Sequence, residues 1–320
     1  MRLTDVAREA GVSLTTASHT FNGNRPVAEA TRSRVLSVAA QLGFRPLGVG
    51  RLVAVLVRPP EALPGFVFGT SSFANIAGSI NMACLRHGLT VATALTLDDL
   101  STTVRRPEGC IVMVPSSGDP VLAAAVRSGL PTVSFDPDPT SSNLAEWVGP
   151  DYEKSVARLV KHMADRGARR ICAVVGTTDN SYRRGVLAGY RAGITGLQNL
   201  PIVTVASNEL GADAGAAAVA SLLAGTDPPD GVITSSPVFA LGALRAATAA
   251  GLHVPEQIRI AAATDGPLAE AAPVPLTTLR GDYNTMAETL VESLLLRMDG
   301  QQGPAMRMGV PLELVHRAST

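Results

Sequence analysis

The apolar positions of this chain change period near residue 50, and the two periods predict two kinds of structure. Up to that point Val6, Ala7 and Ala10 recur at helical spacing, and a short run from Leu14 to His19 follows Gly11. The pattern predicts a helix, a turn with Gly11 in left-handed backbone, a short second helix, and a third helix after a loop. Thr4 and Ser13 stand as caps of the first two helices, and Val12 plugs the turn. The second helix carries the hydroxyls of Thr15, Thr16 and Ser18, side chains small enough to meet base edges and phosphates in a major groove.

From Leu52 the sequence Leu-Val-Ala-Val-Leu-Val is apolar at every position, the mark of a strand buried on both faces. An amphipathic helix from about Phe73 to His87, closed by Gly88, follows. After it come strands 90–94 and 109–114, helix 120–128 and strand 132–135. A second series opens near Tyr152: helix 152–166, strand 171–175, helix 181–193, strand 202–205, helix 212–224, strand 230–234, helix 239–250 and strand 258–263. Alternation of this kind predicts an α/β fold with mostly parallel sheets covered on both faces. Two series predict two similar lobes, with a ligand cleft at the carboxyl ends of their strands. The expected division is a helix-turn-helix domain at 1–46, a short linker at 47–51 and a two-lobed domain at 52–320.

Composition changes the picture in two places. The net charge of the 320 residues is zero, but residues 1–46 hold six arginines against Asp5, Glu9 and Glu29, a local surplus that favours phosphate contact. Cys84, Cys110 and Cys172 are scattered and odd in number, which predicts core residues in a reducing compartment rather than disulfides or a metal site. With a polar, helical N-terminus and no apolar run of membrane-spanning length, the expected location is the cytoplasm.

The opening T-D-V-A-R-E-A-G-V-S-L-T-T-A-S-H-T-F-N resembles that of the lactose-repressor (LacI-type) family of bacterial regulators. The matches fall at Asp5, Val6, Ala7, Ala10, Gly11, Val12, Ser13, Thr16, Ser18 and Asn22, and continue through Thr31, Arg32, Val35 and Leu42 to Pro46. Further on, A-L-G-A-L-R (240–245), V-P-E-Q-I (254–258), P-L-T-T-L (275–279) and L-V-H-R-A-S-T (314–320) resemble segments of the same family. The resemblance implies a DNA-binding transcriptional regulator, in first place a repressor. Its body is expected to look like a periplasmic sugar-binding protein, with two lobes, three crossovers and a small-molecule effector, a sugar or sugar-like metabolite, in the cleft. The implied partners are a near-palindromic double-stranded operator, that effector and a second copy of the chain. No cofactor, metal or membrane is implied.

By the same resemblance Ser13, Leu14, Thr15, Thr16, Ser18, His19 and Asn22 bind DNA, Thr15 and His19 toward bases and Thr16, Ser18 and Asn22 toward phosphates. Ser71, Asp136, Arg184, Ser236 and Asp265 are the expected effector residues, with Arg184 and Asp265 in one cavity bordered by Ser236. Arg183 is expected to face solvent, Asp151 to cap a helix, and Trp147 to pack. The chain departs from the family in four places. His19 replaces a common arginine, and Ala17 a valine. Ser236 and Pro237 replace the usual amide and acid, which weakens the case for an ordinary hexose and favours a smaller, less hydroxylated ligand. Leu47–Arg51, with two glycines, is too short for the family's hinge helix, so a nearly straight operator is expected. The alternatives are a regulator without an effector and an enzyme on an α/β scaffold. Against an enzyme, the chain has no nucleophile elbow, phosphate loop or paired-cysteine metal motif, and its five histidines form no recognisable triad pattern.

Overall fold

The computed structural model describes residues 3–22, 25–42, 44, 51–58, 71–100, 106–196, 203–206 and 211–320. Three helices open the chain: α1 (Leu3–Glu9), α2 (Leu14–Asn22) and α3 (Glu29–Gln41). Gly11 takes φ +64° between the first two, as the turn requires. Ser13 caps α2, its Oγ accepting from the Thr16 N–H at 3.0 Å. Thr4 is no cap, because α1 already runs from Leu3. Val6, Ala7, Ala10, Ala17, Val35 and Ala39 form a small core, closed by a tilted Phe21–Phe44 contact at 5.7 Å.

Two six-stranded sheets follow. The first lobe holds β1 (Leu52–Val57), α4 (Ser71–Arg86), β2 (Thr90–Ala94), β3 (Gly109–Met113), α5 (Pro120–Arg127), β4 (Thr132–Phe135) and β5 (Glu146–Pro150). The second holds α6 (Tyr152–Asp165), β6 (Ile171–Gly176), α7 (Ser181–Gly193), β7 (Val203–Ala206), α8 (Gly211–Leu223), β8 (Gly231–Thr234), α9 (Pro237–Ala249), β9 (Arg259–Ala262), α10 (Pro267–Glu270) and β10 (Thr277–Arg280). The chain then returns to the first lobe with α11 (Tyr283–Met298) and β11 (Arg307–Val310), and ends on the second with β12 (Glu313–Val315). The strand orders match: β2-β1-β3-β4-β5-β11 and β7-β6-β8-β9-β10-β12. All pairs are parallel except β10 with β12. The chain therefore crosses between lobes three times, after β5, after β10 and after β11.

β1 is buried at all six positions. Val53, Val55 and Val57 face a core shared with α4 and α11, while Ala54 and Leu56 face Cys110, Val112 and α5. The predicted elements form with ends shifted by at most three residues, α2 running on from His19 to Asn22. Beyond Ala263, where periodicity was silent, lie α10, α11, β10, β11 and β12, and β5 was also unassigned. The three cysteines are buried, and burial pushes each thiol up to about 12. The expected linker lies outside the described residues except for Arg51, whose guanidinium donates to Glu108 and Asp299 of the first lobe.

Helix α7 lies against α6 through Gly185, Gly189 and Gly193, one per turn. A Cβ on Gly189 would stand 2.3 Å from the Glu153 carbonyl oxygen. Gly189→Ala should therefore cost roughly 1–3 kcal/mol of stability through overpacking. Gly78, on an open face of α4 with nothing within 4 Å of such a Cβ, should gain roughly 0.5–1 kcal/mol on change to Ala. Denaturant midpoints of the two variants moving in the same direction would refute this reading of the glycines.

Candidate functional site

Helix α2 buries Ala17 and Thr20 against the three-helix core, with Phe21 half-buried beside them. At 100° per residue, the opposite side carries Thr15, Ser18, His19 and Asn22. Ser13, Leu14 and Thr15 are exposed. Ser13 and Thr16 are also joined to each other at the start of the helix, Oγ to Oγ1 at 2.8 Å. His19 is half-buried, and its Nδ1 is buried with no hydrogen-bond partner. The side chain of Asn22 lies outside the described residues. Between α1 and α2, Leu3, Thr4, Leu14, Thr15 and Ser18 line a groove of about 550 Å³.

The second region is the junction of the lobes. Ser116 and Ser117, beyond the carboxyl end of β3, meet Asp179 and Asn180, beyond the end of β6. The Ser117 N–H donates to the Asp179 carbonyl at 2.9 Å, and its hydroxyl to the Asp179 carboxylate at 2.7 Å. Arg184 grips that carboxylate with two nitrogens at 2.8 and 2.7 Å and reaches Ser117 Oγ at 3.0 Å. Ser181 donates to the Pro137 carbonyl at 2.8 Å. Hydrogen bonds from Arg184 and Ser117 hold Asp179 well below the usual carboxylate range. Arg183 folds back onto the Gly176 carbonyl at 3.0 Å and is half-buried, which corrects its expected solvent-facing role.

Behind this clasp sits Asp136, buried at the end of β4 with φ +67°. Val114, at the end of the neighbouring β3, has φ +50°. Two non-glycine residues in left-handed backbone place strain at the lobe-facing edge of the sheet. The Tyr152 hydroxyl donates to Asp136 Oδ2 at 2.8 Å. Burial outweighs that bond and raises the Asp136 pKa to about 7. Tyr152 meets Tyr182 edge-on at 4.9 Å, the Tyr182 hydroxyl donates to the Ser235 carbonyl, and Tyr283 tilts against Phe135 at 6.3 Å. The sequence reading missed this gathering of three of the chain's four tyrosines. The available signal was that each opens a helix: Tyr152 and Tyr283 are the first residues of α6 and α11, and Tyr182 the second of α7.

Asp265 is tied down. Its Oδ1 accepts from Thr278 at 2.8 Å and Arg317 at 2.9 Å, its Oδ2 from Arg280 at 2.7 Å. Burial works against its charge, yet the bonds from Arg317, Thr278 and Arg280 hold its pKa below the ordinary value. It lines a cavity of about 460 Å³ with Arg280, Tyr283 and the α4 residues Asn75 and Ser79. Neither Arg184 nor Ser236 is on that wall, so the expected meeting of these three residues is not found in this cavity. Ser236 caps α9 instead, its Oγ accepting from the Phe239 N–H at 3.4 Å. Asp151 caps α6 as expected. Trp147 packs in β5 beside Ser134 of β4. Ser71 opens α4, with its side chain outside the described residues. An unexpected pair, Arg58 just past β1 and Asp119 at the cap of α5, is almost wholly buried, at 3.0 Å. Among the described residues, no cluster of His, Cys, Asp or Glu is placed to hold a metal ion, and no helix is long and apolar enough to cross a membrane.

The family described as bacterial regulatory proteins, lacI family, matches residues 2–46, and the periplasmic binding protein-like domain matches residues 160–320. Over 325 aligned positions the chain is 26% identical to the HTH-type transcriptional repressor PurR of Salmonella paratyphi B, covering 98% of this chain and 95% of that protein. It is similar to a transcriptional regulator CelR–cellobiose complex, with TM-score 0.74, 25% identity and both chains covered in full. It is also similar to the Lac repressor dimer bound to operator and the anti-inducer ONPF, with TM-score 0.72, 24% identity and coverage of 100% and 98%.

A carboxyl raised from 3.8 to about 7 keeps its proton in the folded state after the unfolded chain has lost it. Its contribution to stability is full below about pH 4 and is lost as the pH rises through about 7. Asp136→Asn should flatten that part of the stability curve, as read from melting temperatures of parent and variant between pH 4 and 8. Parallel curves would remove Asp136 as the cause. For the clasp, Arg184→Ala and Ser117→Ala should each widen the distribution of distances between spin labels on the two lobes. An unchanged distribution in both would show that the clasp does not hold the lobes together.

Proposed function

Since this chain belongs to the lacI family of bacterial regulatory proteins and carries a periplasmic binding protein-like domain behind its three helices, we propose that it represses transcription as a homodimer on a near-palindromic operator and is controlled by a small molecule held between its lobes. The carrying observation is the union in one chain of an exposed, hydroxyl-rich α2 face and two lobes joined by a clasp of exposed polar groups. A two-fold dimer presents two such faces to two half-sites. Thr15 and His19 read bases. Thr16, Ser18 and Asn22 contact phosphates. Ser13 and Leu14 meet the DNA where the helix starts. In the body, Arg184 at the clasp and Asp265 on the wall of the cavity beside α4 border the space in which the effector acts, with Asp136 buried behind Tyr152 and Ser236 holding the start of α9. Tyr283, which lines the cavity with Asp265, supplies an aromatic wall. A sugar-like ligand is the first class to screen, because one similar structure is a cellobiose complex. The protein acts in the cytoplasm as a regulator rather than an enzyme.

The effector controls DNA by differential affinity. A ligand that binds the separated lobes better than the clasped ones shifts the population toward the separated state by that difference alone. The test begins with selection of bound sequences from a random duplex library by the full chain. A near-palindromic motif is expected. Thr15→Ala and His19→Ala should each change which bases are tolerated, at roughly 1–3 kcal/mol per lost base contact, whereas Ser18→Ala should weaken all sites alike. The same motif from parent, Thr15→Ala and His19→Ala would end the base-reading assignment. No motif from the parent would end the functional reading itself.

A further inference from the structure

Arg58, just past the end of β1, carries a buried charge that the fold leaves partly unmatched. Its side chain is 11% exposed and donates from Nε alone, to Asp119 at 3.0 Å. Asp119 is fully buried, and three backbone N–H groups already bind its oxygens: Val121 at 2.9 Å, Leu122 at 3.2 Å and Ser116 at 3.2 Å. Asp138, which meets the same turn, is likewise taken up by the N–H groups of Gly118, Asp119 and Thr140. Among the described residues, the two outer nitrogens of Arg58 bond nothing. Nor are they sealed inside: the buried side-chain nitrogens and oxygens without a partner, among the described residues, belong to His19, Ser134 and Trp147.

The position is at the ligand end of the sheet. The Arg58 N–H donates to the Met113 carbonyl at 3.1 Å, which fixes it beside the carboxyl end of β3. Open α/β sheets bind ligands at the carboxyl ends of their strands. The turn after β3 also meets the second lobe, Ser116 by a bridge to Asn180 and Ser117 through Arg184. Two arginines from two lobes thus hold one turn, residues 116–119, Arg58 at Asp119 and Arg184 at Ser117. Arg184 closes its fork on Asp179 with two nitrogens, whereas Arg58 keeps its fork open.

A guanidinium taken out of water with most of its N–H groups unbonded is costly unless something meets them. A carboxylate or phosphate accepts from both outer nitrogens at once and offsets the charge. A neutral hydroxyl offsets none of it. We infer that the outer edge of Arg58 takes an anionic group of the effector, a carboxylate or a phosphate monoester, so that the regulator answers to a sugar acid or sugar phosphate rather than to a neutral sugar. The inference rests on the effector control proposed above and names the charge of the effector.

The experiment uses the full chain and matched sets of ligands in a phosphate-free buffer of fixed salt concentration. One set is glucose, glucuronate and glucose-6-phosphate; a second is the galactose series; cellobiose is a further neutral probe. Titration calorimetry at millimolar ligand gives the affinities. At least one anionic member should bind, more tightly than its neutral counterpart by about tenfold or more, the worth of charge-assisted hydrogen bonds. Which anion binds separates a sugar acid from a sugar phosphate. Arg58→Gln should lower that affinity by a similar factor, and Arg58→Lys should restore part of it. Asp119 keeps its three backbone donors in both variants, so both should fold, as melting without ligand will check. The comparison of anionic with neutral ligands on the parent needs no variant. A neutral sugar bound as tightly as its anionic counterparts overturns the inference and leaves effector control standing. Failure of every anionic member to bind also overturns it, as does an anionic ligand that keeps its full affinity for Arg58→Gln. Each of these results leaves operator selection by the parent untouched, so failure here is distinct from failure of the repressor reading.

Discussion

The hydroxyl of Tyr152 reaches the carboxyl of Asp136 at the first crossing of the chain between its lobes. Tyr152 can lie there because Gly185, across from it on α7, has no side chain: a Cβ at that position would stand 2.6 Å from the tyrosine Cβ. The same ring then meets Tyr182 edge-on, and Tyr182 bonds the end of β8. One side chain thereby touches the first lobe, the crossing and the second lobe. Its partner is a buried acid in left-handed backbone, a costly arrangement unless its surroundings compel it. The two lobes consequently meet at a pivot whose polar groups are satisfied by each other.

At the pivot the contacts are buried; at the mouth they are exposed. The Arg184–Asp179 pair leaves nearly half of each side chain in solvent (46% and 45%), where ion pairs contribute little. Solvent and a ligand can replace such contacts at small cost. That difference suits a domain with two arrangements. A buried pivot keeps the lobes in register, and a weak clasp keeps their free energies close enough for a ligand's differential affinity to decide between them.

Much of this was legible in the residues, and the limits are physical. Gly11, Ser13 and the apolar pattern around them fix a turn and a cap locally, so they could be read. β1 and β6 could be read because a parallel strand covered on both faces is apolar throughout. The short outer strands β11 and β12 have half-exposed patterns, and β5 contains Gly149 and Pro150, so periodicity carried little there. At the lobe junction, single residues were visible and their partners were not. Arg184 stood out, but its link to Ser117 comes from another lobe; Asp265 stood out, but Arg317 reaches it from the end of the chain. Ser236 occupied a position of interest, and the start of a helix claimed its hydroxyl as a cap. The tyrosines gather only because three separate helices begin at one place.

Helix α11 joins the pivot to the segment that leads to the DNA-reading unit. It begins with Tyr283, beside Phe135 at the lobe junction, and just past its end Asp299 accepts from Arg51. Its sixteen residues span roughly 24 Å at 1.5 Å each. Met286, Ala287, Leu290, Val291 and Leu294 are buried along it, and Ser293 and Arg297 bond Glu146 at the start of β5. A helix held at so many points moves with its lobe. Arg51 moves with that lobe, because its carbonyl accepts from the Thr90 N–H at 2.9 Å and the next residue opens β1. A turn of the first lobe about the pivot is therefore delivered to residue 51 as a displacement of the whole rod rather than absorbed by bending along the way. In a dimer this sets the separation of the two points from which the helical units depart, and DNA fixes the half-site spacing those units must match.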